Sequence, residues 1–236
     1  MNILVIVAHP DDEVLGVGGT MLKHAEKGDK ITVVFMATGI TSRRKSNYQS
    51  VPSYEPNSTE FNKMKQEIEM LRNDAKKACK LLGVKNTVFY DFPDNEMDSV
   101  PLLQIVKTIE KEISKNKPDK VFTHHYGDLN VDHRIVYNAT ITACRPFDKI
   151  ISELICFEIP SSTEWNYPII FNPNYFIDIH KQLGKKIKAM ETYQNEIRRF
   201  PHPRSVKNLR VIAEKWGATS GNKAAESFEI IRKIEK

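Results

Sequence analysis

Within five residues, His9-Pro10-Asp11-Asp12-Glu13 brings together one imidazole and three carboxylates. Like charges packed this closely repel, and burying them without a cation would be costly. A divalent ion relieves that conflict. Imidazole beside carboxylate suits zinc better than calcium or magnesium, which favour all-oxygen shells. The competing expectation is an exposed acidic cap, because Asp and Glu are favoured in the first turn of a helix. A second group decides between them: the run His124-His125-Tyr126-Gly127-Asp128-Leu129-Asn130-Val131-Asp132-His133-Arg134. His9 and Asp12 from the short turn, with the distant His133, make three protein ligands and leave a fourth position for water. That is the pattern of a catalytic rather than a structural zinc. His124 and His125 lie closer to the preceding apolar run, where one reads as a packed or supporting histidine. His24 and His180 read as structural.

These side chains need a scaffold that brings two distant segments to one place. Residues 3–8 are a continuous apolar run, the mark of a parallel strand buried on both faces. Periodicity predicts helices over 14–27, 64–82, 102–113 and 135–143, alternating with strands over 31–37, 87–90 and 120–123. Such alternation predicts a Rossmann-like α/β fold: a doubly wound, mostly parallel sheet with helices on both faces. In the common strand order 3-2-1-4 the first and fourth strands are neighbours, so loops leaving their C-terminal ends meet in one crevice. Residues 38–62, rich in Ser, Thr and Asn and carrying Arg43 and Arg44, read as a long functional loop. The pattern then changes: a strand over 150–159, irregular chain over 160–173, helices over 181–197 and 206–216, and a short strand over 228–231. The expected organisation is a single domain, 1–236, with a core over 1–145 and a C-terminal α/β extension over 146–236. Gly16, Gly18 and Gly19 do not form G-x-G-x-x-G, and the acids before them would repel a pyrophosphate. They read as close helix–strand packing.

The composition, 40% hydrophobic and 28% charged over 236 residues, is that of a globular chain able to bury one sizeable core. No apolar run approaches the roughly 18 residues of a membrane span, and the first residues lack the basic region of a signal peptide. A cytoplasmic protein without integral membrane association is therefore expected. Three cysteines and no C-x-x-C pair argue against a disulfide framework and against thiolate zinc. Residues 181–236 carry 14 Lys/Arg against 6 Asp/Glu, net +8, while the rest of the chain is net −3. The basic residues are dispersed, without interleaved aromatics, so no nucleic-acid partner is expected.

The motif His9-Pro10-Asp11-Asp12-Glu13, followed downstream by Asp132-His133-Arg134, resembles the PIG-L/LmbE family of zinc-dependent N-acetylglucosaminyl deacetylases. The likeness runs from the first strand to the helix after His133. It implies a deacetylase domain in which His9, Asp12 and His133 bind zinc, or another divalent transition metal, and Asp11 is the general base. The implied partner is a small N-acetylated amino sugar, free or linked to a nucleotide, lipid or glycoside; a homo-oligomer is left open. Two positions depart from the family pattern. Where the family commonly has His-Pro-Asp-His, this chain has Asn130-Val131-Asp132-His133. Asn130 can offer an oxyanion a neutral hydrogen bond but no proton, so His202, in Phe200-Pro201-His202-Pro203-Arg204, and then His125 are candidates for the acid. The family's substrate arginine falls on Leu71, one residue before Arg72, and one residue turns a helical side chain by about 100°. Arg72, Arg204, Arg43 and Arg44 are thus candidates for gripping a phosphate or sugar hydroxyl. A metal-dependent phosphoesterase and a non-catalytic sugar- or nucleotide-binding module are the other readings that these residues leave open.

Overall fold

The apolar run near the N-terminus becomes β1 (Asn2–Val7), in which every residue from Ile3 onward is buried. It lies between β2 (Lys30–Ala37) and β4 (Lys120–His124), parallel to both. Successive side chains of a strand point to opposite faces. Val5 and Val7 accordingly join one apolar cluster with Val17 and Met21, while Leu4 and Ile6 join another with Ile105 and Val136. One strand thereby seeds a core on each side of the sheet. The structure, a computed structural model, describes residues 1–42, 58–146 and 151–235, with only the backbone for 58–61; Arg43 and Arg44 lie outside the described residues.

Outward from this centre are β3 (Asn86–Phe92) on one side and β5 (Glu153–Phe157), β7 (Ala225–Lys233) and β6 (Tyr175–Asp178) on the other. The sheet order is β3-β2-β1-β4-β5-β7-β6. The first five strands are parallel; β7 runs antiparallel to both β5 and β6. The fold is the expected doubly wound, mostly parallel α/β arrangement, and the chain beyond residue 145 continues the same sheet. Six α-helices are described: α1 (Asp12–Glu26), α2 (Ser58–Leu81), α3 (Leu102–Asn116), α4 (Val131–Ala143), α5 (Leu183–Glu191) and α6 (Val206–Ser220). None is long and apolar enough to cross a membrane.

Three expectations need correction. α2 begins at Ser58, inside the segment read as loop. β6 was not expected; it is only four half-buried residues at a sheet edge, too short for alternation to register. The helix expected over 181–197 ends at Glu191. There the Thr192 hydroxyl donates to the Ala189 carbonyl, a local bond that competes with helix propagation, and Tyr193 turns inward to be fully buried.

The helix that carries the acidic motif is fixed against β5 at one glycine. A Cβ on Gly16 would lie 2.4 Å from the Phe157 ring, so helix and strand approach as no other residue permits. Gly16→Ala is expected to cost about 1–3 kcal/mol of stability through overpacking. The check is a lowered midpoint of denaturant unfolding with an unchanged slope; an unmoved midpoint would show that α1 shifts freely.

Candidate metal centre

The C-terminal ends of three strands supply the site. β1 ends at Val7, and His9 follows before α1 opens at Asp12. Asp11, the residue before that helix, has φ 112°, a left-handed conformation uncommon for any residue with a side chain. Its amide is satisfied by Glu13 Oε2 at 3.0 Å, and its carbonyl accepts from the Val14 and Leu15 amides, so backbone bonds hold the turn. From β4 the chain loops into α4, whose first turn contains Asp132 and His133. The Asn130 side-chain oxygen accepts from the amides of Asp132, at 2.8 Å, and His133, at 3.4 Å, which caps this helix. From β3 comes Asp94, two residues past the strand end.

At the centre, His133 Nε2 lies 3.3 Å from both His9 Nδ1 and Asp12 Oδ2. Ligand atoms of His9, Asp12 and His133 all fall within 4.8 Å of one another. The opposite ring nitrogens face carboxylates. His9 Nε2 is 3.0 Å from Asp94 Oδ1 and from Asp132 Oδ2, and His133 Nδ1 is 3.0 Å from Asp128 Oδ1, off the line of an ideal hydrogen bond. With protons on the outer nitrogens, facing those carboxylates, each imidazole would offer an inward lone pair to an ion, as in carboxylate–histidine–metal sets. Asp12 Oδ2 accepts from the His9 amide, whereas Asp12 Oδ1 is buried without a hydrogen-bond partner. Two imidazole nitrogens and a buried carboxylate with an unpaired oxygen form a donor set that fits a zinc ion.

The electrostatics call for positive charge at the same point. Asp11, Asp12, Glu13, Asp94, Asp128 and Asp132 are all buried, so the motif is not an exposed cap. Burial alone would lower both histidines. Asp12, Asp132 and Asp94 nevertheless raise His9 well above its usual value, and Asp12 and Asp128 carry His133 up to about 9. Burial would raise Asp12 and Asp94, but His133 holds the first well below the carboxylate range and His9 brings the second down to about 2. His124 is the neutral floor of the cluster. It stacks on His133 at 3.9 Å, its Nε2 accepts from the Ala8 amide, and burial beside His133 pushes it down to about 3.

Asp11 stands apart from the donor set with a cation of its own. Arg204 Nη1 donates to Asp11 Oδ2 at 2.7 Å, while Nε donates to Ser161 Oγ at 2.8 Å. Burial pushes the Asp11 carboxyl up to about 7 against the pull of Arg204. Next to it, Glu13 accepts from the Tyr193 hydroxyl at 2.6 Å and is raised to about 8 by burial.

The other sequence candidates fall elsewhere. Arg72 donates to the Tyr90 carbonyl and to Asp91 at 2.6 Å, at the β3 edge of the sheet. His125 Nε2 faces Glu229 on β7 and its Nδ1 accepts from the Gly127 amide. His202 accepts from the Arg204 amide and has its ring 6.0 Å from that of Trp165. Asn130 gives its amide group to Asn95 Oδ1 at 2.7 Å. Sequence reasoning missed Asp94, although an acid just past a strand's C-terminal end is a usable signal. It also assigned no role to Asp128, which accepts from Thr163 at 2.7 Å and from Ser162 while facing His133.

The model of the PIG-L family, described as GlcNAc-PI de-N-acetylase, matches residues 4–144, from β1 through α4. The chain belongs to this family. The matched residues include both His9–Glu13 and the loop that carries Asp128 to His133, and the family is one of deacetylases. An uncharacterized deacetylase, YaiS, of Escherichia coli strain K12 is 28% identical over 200 residues, covering 82% of this chain and 91% of the relative. Diacetylchitobiose deacetylase of Thermococcus kodakarensis is 24% identical over 245 residues, covering 98% of this chain and 83% of the relative. Among solved structures, GalB, the 4-carboxy-2-hydroxymuconate hydratase from Pseudomonas putida KT2440, superposes with TM-score 0.71 at 20% identity, covering 100% of this chain and 98% of GalB. That likeness shows the fold alone, and a PIG-L-like fold by itself does not choose the reaction.

Proposed function

We propose that the chain hydrolyses the acetyl group from an N-acetylated amino sugar or its conjugate, with His9, Asp12 and His133 holding a zinc ion and Asp11 as general base. The observation that carries this reading is the buried Asp12 carboxylate, one residue from Asp11: its Oδ2 lies 3.3 Å from His133 Nε2 and 3.5 Å from His9 Nδ1, and its Oδ1 has no partner. A zinc ion held there supplies Lewis-acid chemistry, lowering the pKa of water towards about 7 and polarising the acetyl carbonyl. Iron or cobalt would suit the same donors.

Asp11 takes the proton of the attacking water and returns it to the departing amine. Arg204 grips Asp11 Oδ2, which fixes the plane of the carboxyl and leaves Oδ1 for the water. With both ends of the Asn130 amide engaged in holding α4 and Asn95, the acid step is assigned to Asp11 itself. His202, partly exposed beside Arg204, is the residue proposed to meet the sugar.

The test is acetate release from free N-acetylglucosamine, an N,N'-diacetyl disaccharide, a nucleotide-linked and a lipid-linked N-acetyl sugar. At least one is expected to yield acetate, and a chelator is expected to stop it. Phosphate from a phosphomonoester without acetate, or hydration of a muconate-type diene, would overturn the reading. Saturable sugar binding with no turnover would replace it with a binding module.

A further inference from the structure

Asp11 stands at φ 112°, a conformation that surrounding bonds must hold in any residue with a side chain. Its amide donates to Glu13 Oε2 at 3.0 Å, and Glu13 Oε1 accepts from the Tyr193 hydroxyl at 2.6 Å. Hydrogen bonds thus link the turn after β1 to the first residues beyond α5. Every member is shut off from solvent: Tyr193 and Glu13 are fully buried, and Asp11 is 2% exposed. The ring and the hydroxyl of Tyr193 do separate things. The ring joins the apolar cluster that holds Leu71, Ala75 and Cys79, a task phenylalanine would perform equally well. The hydroxyl serves Glu13. Without it, Glu13 would keep a buried oxygen unpaired and be free to turn away from the Asp11 amide.

The segment that carries Tyr193 also holds the Asp11 carboxyl. Arg204 donates to Asp11 Oδ2 at 2.7 Å and to Glu196 Oε2 at 3.4 Å. Residues 192–205 close on themselves. The Tyr193 carbonyl accepts the amides of Glu196 and Ile197, and the Arg204 carbonyl accepts that of Arg198. Both ends are fastened: the Thr192 hydroxyl reaches the Ala189 and Asp74 carbonyls, and the Ser205 side chain caps α6. One loop therefore grips Asp11 twice. The hold through Tyr193 and Glu13 sets where the residue sits; the hold through Arg204 sets how its carboxyl is turned.

We propose that Tyr193 is a positioning residue for the base: through Glu13 it holds the Asp11 backbone so that the carboxyl faces the attacking water. Buried as it is, Tyr193 acts only through its neighbour. The kinetic consequence rests on the deacetylase reading; the hold on the Asp11 backbone does not.

Hydrogen exchange at the Asp11 amide of the full chain, followed by nuclear magnetic resonance with and without a chelator, reads that hold without any turnover. Tyr193→Phe is expected to speed this exchange roughly fivefold to tenfold, about what one hydrogen bond contributes. The amides of β1 should stay as protected as before, which separates a local release from general loosening. Glu13→Gln can still accept from the Asp11 amide and donate to the Tyr193 oxygen, so its exchange should stay near that of the unaltered chain. Glu13→Leu can do neither and should exchange faster; this pair of variants carries the same test without touching the buried ring. On the best substrate of the panel, Tyr193→Phe should lower kcat about tenfold, with KM and metal content unchanged. In an Asp11→Asn background the same substitution should lower the residual rate no further, because the two residues act as a unit. Unmoved exchange at Asp11, equal loosening throughout β1, or an equal loss of kcat in both backgrounds would each overturn the proposal. Faster exchange at Asp11 with no acetate from any sugar would overturn the deacetylase reading and leave the hold on Asp11 standing.

Discussion

Asp11→Asn is expected to keep its metal and its fold and to lose roughly a hundredfold to ten-thousandfold in kcat. Asparagine preserves the shape of the carboxyl and still offers an oxygen to Arg204, so the contact at 2.7 Å has a substitute. The backbone bonds that hold φ at 112° for residue 11 come from its amide and carbonyl and do not involve the side chain. What the substitution removes is the ability to accept a proton from water and return it to nitrogen. An amide does neither. Metal content measured on the purified variant, beside acetate release on the best substrate of the panel, separates the two roles. Full activity with full metal would remove Asp11 from the reaction, whereas lost metal would recast it as a ligand. The loss should appear in kcat with KM little changed, because Asp11 is proposed to act on water and not on the sugar.

Much of the geometry of this candidate site was legible in the sequence, and for a physical reason. Candidate ligands that leave the ends of central parallel strands lie close to their own signal: an apolar run, then His9 to Glu13, and later another run, then His133. Both strands are buried on both faces, so their composition is unmistakable, and the neighbour relation of β1 and β4 follows from a common strand order. Side chains that complete the site from far away leave a weaker trace: Arg204 reads from sequence only as a candidate for gripping a phosphate or sugar hydroxyl, and Tyr193 carries no signal. Tyr193 reaches Glu13 across 180 residues and Arg204 reaches Asp11 across 193; nothing in a tyrosine after a helix or an arginine after a proline specifies its target. Asn130 shows the opposite limit. Its type allows both a helix cap and an oxyanion donor, and only the observed bonds to Asp132 and His133 choose the cap.

The decisive measurement for the metal is a contrast between the two sides of His9. That histidine belongs to two groups able to hold an ion: one with Asp12 and His133 on Nδ1, the other with Asp94 and Asp132 on Nε2. The second group is already satisfied. Asp132 accepts from the amides of Asn95 at 2.6 Å and Met97 at 3.1 Å, and Asp94 accepts from the Ser42 hydroxyl at 2.6 Å. The first contains the unpaired oxygen of Asp12. His133→Ala is therefore expected to abolish tight metal binding and, with it, acetate release. Asp94→Asn, which only loosens the support of His9, should weaken metal affinity by about 10–100-fold, and Asp128→Asn should do the same through His133. His125→Ala, whose ring faces Glu229, should leave affinity unchanged. Competition against a zinc-binding dye reads all four. If Asp94→Asn lost the metal and His133→Ala retained it, the ion would belong on the other face of His9, and Asp11 would be too remote to serve as its base.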